Sequence, residues 1–251
     1  MGINYNPFSL EGKTILVTGA SSGIGKETAI SCSKMGAKVI VTARNQERLQ
    51  ETYDSLEGDG HQQIIADLTD ANDINGIVAT VGKIDGVVLC AGKGLSLPVL
   101  FSTREQFDKI YNVNLFSPIE LLRLLVKKKC FSQQSSVVLM ISIGGTGRFT
   151  PGNAIYGSSK AALKAMVNYF AIELAPKKIR VNGLCPGMVE TPLIHHGTLT
   201  QEQLDEDKAK YPLKRYGQPI DVANATIFLL SEASSWITGQ SIVIDGGLTA
   251  K

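Results

Sequence analysis

The chain has 251 residues, 43% of them hydrophobic, with 25 glycines and a formal net charge of +2. That length fits one large domain or two small ones with a substantial core, and the near-balanced charge gives no reason to expect nucleic acid or another polyanion. Four cysteines without C-x-x-C spacing (Cys32, Cys90, Cys130, Cys185) read as reduced thiols, and His61, His195 and His196 form no ligand pattern, so neither a disulfide framework nor a metal site is expected.

The chain opens on "MGINYNPFSLEGK", which has no signal-peptide pattern, and Asn6 stands where a myristoylation motif wants Ser or Thr. No apolar stretch approaches the ~20 residues that span a bilayer, so no membrane association and a cytoplasmic location are expected. The elements then alternate. "KTILVTG" (13–19) reads as a buried strand, 23–36 as a helix, 37–44 as a strand, 45–58 as a polar amphipathic helix, 62–68 as a strand and 69–82 as a helix. Further on, 85–92 is a strand, 102–129 one long helix kinked at Pro118, 135–142 a strand, 154–175 a helix and 179–187 a strand. A polar stretch, 192–216, precedes a helix over 219–231 and a last strand over 239–247. Apolar strands alternating with helices predict one α/β domain over 1–251, a seven-stranded parallel, doubly wound sheet with helices on both faces. The long irregular segment 186–217 follows a strand end, where such sheets place substrate contacts.

The first strand runs into "TGASSGIG" (18–25), with glycines at 19, 23 and 25. Glycines admit the tight turn and the close approach of backbone to phosphate, and the helix that opens there aims N–H groups and its positive dipole end at an anion. The strand–turn–helix context supports a dinucleotide site, and the missing Lys-Ser/Thr pair disfavours a nucleoside-triphosphate P-loop. The second strand ends "TARN": Ala43 offers no carboxylate for a ribose 2′-OH, and the Arg44 guanidinium suits a 2′-phosphate. The cofactor is therefore expected to be NADP(H) rather than NAD(H). Asp67, closing the third strand, is placed to meet an adenine edge through its side chain or the amide of its neighbour, Leu68.

"YGSSK" puts Tyr156 and Lys160 at (i, i+4) on one helix face. A nearby ammonium lowers a phenol's pKa from its ordinary ~10, so Tyr156 can pass a proton to a carbonyl oxygen or take one from an alcohol. Ser142, ending the fifth strand, could polarise the same oxygen. Lys160 can also hold the nicotinamide ribose, so Tyr156 and Lys160 count among the cofactor-binding residues as well, and Asn114, in "YNVN", could hold a water linking Lys160 to solvent.

These strings, with "CAG" after the fourth strand, "RVNGLCPG" and the closing "ITGQSIVIDGG", resemble the short-chain dehydrogenase/reductase family, in order, over roughly 12–251. The resemblance implies a single Rossmann-type domain, a homotetramer or dimer, and an Asn–Ser–Tyr–Lys set on Asn114, Ser142, Tyr156 and Lys160. It places the cofactor on Gly19, Ser21, Ser22, Gly23, Ile24 and Gly25, on Ala91 and Gly92, and on "PGMVET". In that last loop Pro186 and Gly187 are followed by the Val189 amide and Thr191 hydroxyl at the carboxamide. Two departures stand out. Cys90 occupies the place of an Asn that helps knit the sheet centre. Ser142 lies 14 residues before Tyr156 where the family has 13, so a strict count would put Ile143 in the serine's slot, whereas the string "SIGG" keeps Ser142 and places one inserted residue in "TGRFTPG".

The expected activity is NADPH-dependent reduction of a ketone or 3-oxo group, small-molecule or carrier-bound, to a secondary alcohol. A 3-oxoacyl-carrier-protein reductase is one candidate, with Lys127–Lys129 and Lys177–Lys178 available to an acidic carrier. Selectivity is expected in Lys93–Leu97, Gly144–Phe149 and 192–212. The alternative is a regulatory nucleotide-binding protein with impaired catalysis. A sugar-nucleotide epimerase is disfavoured, because the chain has neither G-x-x-G-x-x-G nor a C-terminal substrate domain.

Overall fold

The computed structural model describes residues 6–195 and 200–250. Seven strands form one sheet: β1 (Thr14–Thr18), β2 (Lys38–Ala43), β3 (Gln62–Ile65), β4 (Ile84–Leu89), β5 (Phe131–Met140), β6 (Arg180–Pro186) and β7 (Ser241–Ile244). Their order is β3-β2-β1-β4-β5-β6-β7, and every pairing is parallel. The chain winds outward from β1 to β3, returns to β4 beside β1, and winds the other way. The crevice between β1 and β4 is the switch point at which such sheets bind ligands.

The helices are α1 (Gly23–Lys34), α2 (Gln46–Asp54), α3 (Ala71–Thr80), α4 (Arg104–Tyr111), α5 (Ser117–Lys127), α6 (Ala154–Leu174), α7 (Pro192–His195), α8 (Gln201–Ala209) and α9 (Pro219–Leu230). The central strands are covered on both faces, which is why they are apolar throughout. Leu16, Val87 and Leu139 pack with Ile77, Leu121 and Leu163 from α3, α5 and α6. Their neighbours Ile15, Val17 and Val88 face the other way, towards Ala29 of α1 and Val222 of α9. At the edge, β3 is only half-buried and stops at Ile65, short of the expected 62–68.

Two expectations are corrected. The long helix over 102–129 is interrupted. A Thr103–Gln106 capping box starts α4, and a π-helical turn over Asn112–Phe116 separates it from α5. The Ser117 amide reaches back five residues to the Asn112 carbonyl, which also accepts the Ser117 hydroxyl at 2.6 Å. Pro118 contributes because it has no N–H for the carbonyl four residues back, that of Asn114. The break is thus a π turn centred on Asn114 rather than a simple proline kink.

The second correction is α8, which lies inside the stretch read as irregular. Thr200 and Gln203 form its capping box, Gln203 N donating to Thr200 Oγ1 at 3.3 Å and Thr200 N to Gln203 Oε1 at 2.9 Å. The T-x-x-Q signal was present in the sequence but lay in a polar run with no apolar stripe to draw attention to it. Residues 196–199 of the expected substrate segment lie outside the described residues.

Candidate active site

Most of the expected site residues come from loops and element ends after the strands, while Asn114 lies in the π turn and Tyr156 and Lys160 on α6. The turn after β1 holds Gly19 at φ +67° and Gly23 at φ +53°. A Cβ on Gly19 would stand 2.8 Å from the Ala91 Cα, and one on Gly25 would run into the carbonyl oxygen of Gly19. The turn is therefore packed directly against the end of β4, bringing residues 20–25 and 91–92 to one crevice. Ser22 precedes α1 in extended backbone and its side chain caps nothing, so the first-turn N–H groups of α1 keep their capacity for an anion. This cradle of bare backbone fits a pyrophosphate.

One residue here has no signature in the sequence. The Thr18 hydroxyl donates to the Val88 carbonyl (3.3 Å) and accepts the amides of Cys90 (3.0 Å) and Ala91 (3.2 Å). It stitches β1 to β4 where Cys90 replaces the expected asparagine. The Cys90 thiol is half-buried, and burial pushes it up to about 11 despite the Lys160 ammonium.

Arg44, at the end of β2, is 68% exposed and donates through Nη1 to Asp67 Oδ2 at 3.2 Å, so its guanidinium stays open to a further anion. It lines a recess with Asn45, Gln46, Glu47 and Gln50. Burial raises the Asp67 pKa, but bonds from Thr69 and Arg44 outweigh it and hold the carboxyl below its ordinary range. The Asp67 amide itself is taken by Asp73 Oδ2 at 2.7 Å. The carboxylate expected at the adenine edge is thus already shared by Thr69 and Arg44, with Leu68 next to it in the chain.

At the end of β5 the chain folds into a compact turn. The Ile143 carbonyl accepts the amides of Thr146, Gly147 and Arg148 at 2.8–3.1 Å. Gly144 N donates to Ser142 Oγ at 3.0 Å. Ile143 is buried in the core, while the Ser142 hydroxyl faces Tyr156: a Cβ on Gly144 would meet Ser142 Oγ at 3.3 Å and Tyr156 Cε1 at 3.6 Å. Ser142 and not Ile143 is thus the residue that faces Tyr156.

Tyr156 and Lys160 project from α6. Lys160 is buried, donates to the Met140 carbonyl at 2.8 Å, and has its Nζ 5.9 Å from the Tyr156 ring centroid. Burial brings the Lys160 pKa down to about 8, opposed by the Cys90 and Cys185 thiols. Tyr156 departs from expectation: burial raises its pKa, against the pull of the Ser142 hydroxyl. The ammonium is directed at a main-chain carbonyl rather than at the phenol oxygen.

Asn114 is fully buried, and its side chain is fully used. Oδ1 accepts Lys93 N (2.8 Å), and Nδ2 donates to Lys93 O (3.0 Å) and Ser159 Oγ (3.1 Å). Its side chain therefore fixes the chain after β4. A Cβ on Gly92 would lie 3.4 Å from both Asn114 Oδ1 and Lys160 Nζ, so the two residues border one point.

After β6, which ends at Pro186, Gly187 N donates to the Ile244 carbonyl at 2.9 Å. Val189 is buried and paired with Gly217. The Thr191 hydroxyl donates to the Val189 carbonyl at 3.2 Å, and its Cγ2 would stand 3.0 Å from a Cβ on Gly23. The 186–191 loop therefore closes against the phosphate turn. Arg148, Asp207 and Tyr211 fall within the stretches expected to hold selectivity, though the sequence singled out none of them, and Tyr216 lies outside; together they join α8 to the site. Their partners are distant in sequence, and no local pattern marks them. Among the described residues no group of His, Cys, Asp or Glu could hold a metal ion, and no helix is long and apolar enough to cross a membrane.

Known proteins resemble this chain in sequence and fold. A family described as Enoyl-(Acyl carrier protein) reductase matches residues 19–249. The chain is 34% identical to the 3-oxoacyl-[acyl-carrier-protein] reductase FabG of Rickettsia bellii (strain RML369-C), over 95% of this chain and 98% of that protein. It is 33% identical to the 7alpha-hydroxysteroid dehydrogenase of Escherichia coli (strain K12), over 97% of each. Among solved structures, a Beutenbergia cavernae protein crystallised with NADP at low occupancy superposes with a TM-score of 0.89. That protein is 29% identical, over 98% of this chain and all of its own.

Proposed function

The chain belongs to the short-chain dehydrogenase/reductase family of oxidoreductases, and from that premise we propose that it reduces a ketone or 3-oxo group to a secondary alcohol with NADPH. The observation that carries the reading is the convergence of Ser142, Tyr156 and Lys160 beside a glycine-lined turn. A bound nicotinamide dinucleotide supplies the hydride. The 19–25 turn and the α1 N-terminus hold its pyrophosphate, Arg44 its 2′-phosphate, and the Val189 amide and Thr191 hydroxyl its carboxamide.

The chain's own residues manage the proton. Burial keeps the Tyr156 phenol protonated at neutral pH, which suits a donor to the carbonyl oxygen. The Ser142 hydroxyl, which faces Tyr156, shares that oxygen as negative charge develops. Lys160 is cationic below about pH 8 and stabilises the phenolate left behind. Asn114 acts by holding Lys93 and Ser159, and so the floor of the cleft beneath Gly92. That Ser142 faces Tyr156 supports the catalytic reading over a regulatory one.

The substrate is proposed to be a carbonyl compound of the kinds the relatives' names describe, a 3-oxoacyl thioester or a steroid ketone. Lys127–Lys129 and Lys177–Lys178 precede β5 and β6, one strand length (roughly 25–30 Å) from the end that carries Tyr156. Within one chain they do not flank the site, which favours a free substrate over one docked on those lysines. A homo-oligomer is proposed on the strength of the family alone.

The test is Tyr156→Phe. Loss of a general acid predicts a fall in kcat of about 10²–10⁴-fold, with NADPH binding, followed by fluorescence, unchanged. Turnover near wild type would remove Tyr156 from the chemistry.

A further inference from the structure

Helix α8 is tied to both loops that frame the site. On one side Arg148, in the turn that orients Ser142, donates through Nη2 to Asp207 Oδ1 at 3.0 Å. The Arg148 backbone belongs to that turn, its amide bonded to the Ile143 carbonyl at 2.8 Å and its carbonyl accepting Gly145 N at 3.0 Å. On the other side Lys208, the next residue of α8, pairs with Glu190 Oε1 at 3.1 Å, in the loop after β6.

Between the two lies a buried aromatic pair, Tyr211 and Tyr216, edge to face at 5.4 Å. The Tyr216 hydroxyl is 3.1 Å from Asp207 Oδ2 and 3.1 Å from the Leu204 carbonyl. The Tyr211 hydroxyl accepts Met188 N at 3.0 Å. Asp207 therefore meets the Arg148 guanidinium on one oxygen, with the Lys210 ammonium farther off at 3.5 Å, and a buried phenol on the other. Its side chain is 18% exposed and that of Arg148 29%. A pair so placed gains more from fixed geometry than from Coulomb attraction.

We propose that Arg148 and Asp207 form a positioning clamp that holds α8 over the substrate side of the cleft, in register with the Ser142 turn. The clamp sets how well a carbonyl substrate is held and selected, and takes no part in proton transfer. The two residues are positioning residues: neither belongs to the Ser142–Tyr156–Lys160 group, and their separation of 59 positions makes the contact purely tertiary. The kinetic side of this inference rests on the reductase reading above, and its structural side does not.

Two readouts test it. In hydrogen exchange, Arg148→Ala should raise the exchange rates of the 202–209 amides at least about tenfold through local opening, while Tyr156→Phe leaves them unchanged. Unaltered protection in Arg148→Ala would overturn the clamp. In steady-state kinetics with a carbonyl substrate, Arg148→Ala and Asp207→Asn should each raise KM about tenfold with kcat within about twofold and NADPH affinity unchanged. The double variant should be no worse than the poorer single. Arg148→Lys, which keeps the charge without the planar fork, should fall between wild type and Arg148→Ala in both readouts, and it carries the test if the alanine variant fails to fold. A fall in kcat at constant KM, or additive losses in the double variant, would overturn the assignment. If wild type turns over no carbonyl, the reductase reading fails, and the exchange measurement still decides the clamp.

Discussion

The two sides of the cleft are built differently. The side proposed for the cofactor consists largely of backbone: the turn after β1, the end of β4 and the first turn of α1 meet with almost no side chain between them, because Gly19 and Gly25 leave no room for one. The substrate side consists of side chains brought from far apart, with Arg148 on Asp207, Lys208 on Glu190, and Tyr211 under Met188. A surface of backbone admits one class of ligand and tolerates little substitution. A surface of paired side chains can be re-specified by changing the pairs, which suits relatives whose names span acyl-carrier and steroid substrates.

That contrast can be broken first at Gly25. Gly25→Ala drives a methyl group into the Gly19 carbonyl, and cofactor affinity should fall at least about 100-fold, the equivalent of roughly 2.7 kcal/mol. Calorimetric titration with NADPH checks this, and near-normal affinity would show that the turn can shift after all.

Next is Arg44→Ala. Losing charge-assisted bonds to a 2′-phosphate, worth about 1.5–3 kcal/mol, should weaken NADPH about 10- to 150-fold, with NADH affected less than about twofold. Equal losses for the two cofactors would remove the 2′-phosphate assignment. The Arg44–Asp67 pair is too exposed for its loss to mimic this by unfolding the protein.

A smaller effect comes from pH. Burial lowers the Lys160 pKa, so its charge is present below about pH 8 and lost above it, while the raised Tyr156 pKa keeps the phenol neutral throughout. The rate of reduction should be level below that point and fall up to about tenfold for each pH unit above it. A profile flat to about pH 9.5 would separate the lysine's charge from the chemistry.

The smallest effect should come from Cys90→Asn. The Thr18 hydroxyl already holds the Cys90 and Ala91 amides, so restoring the family's usual residue should change NADPH affinity and kcat less than about twofold. A gain well beyond that would mean that Thr18 carries the stitch only in part.

The same contrast explains what the sequence made legible. The seven strands, the phosphate turn and the Tyr156–Lys160 spacing follow local rules: apolar runs, glycine punctuation, helical periodicity. Thr18 could not be read, because a threonine ending a strand looks alike whether or not its hydroxyl bridges to the next strand. The break at Asn114 was half legible: Pro118 announced a disturbance, but the π turn depends on the Ser117 amide reaching Asn112 and on Asn114 being buried against Lys93 and Ser159. Helix α8 had a capping signal and no apolar stripe, and what holds it lies 59 positions away on Arg148. The lowered phenol pKa expected for Tyr156 was wrong for a related reason. Sequence spacing shows which residues are near, but burial and the direction of the ammonium, here towards Met140, decide the sign.

The central claim is carbonyl reduction with NADPH, and the measurement that tests it most directly is NADPH oxidation by wild-type protein across 3-oxoacyl thioesters, steroid ketones and keto-sugars, with the alcohol product identified. The account predicts turnover of at least one class, faster with NADPH than with NADH. NADPH binding with no alcohol formed from any of the three would contradict it.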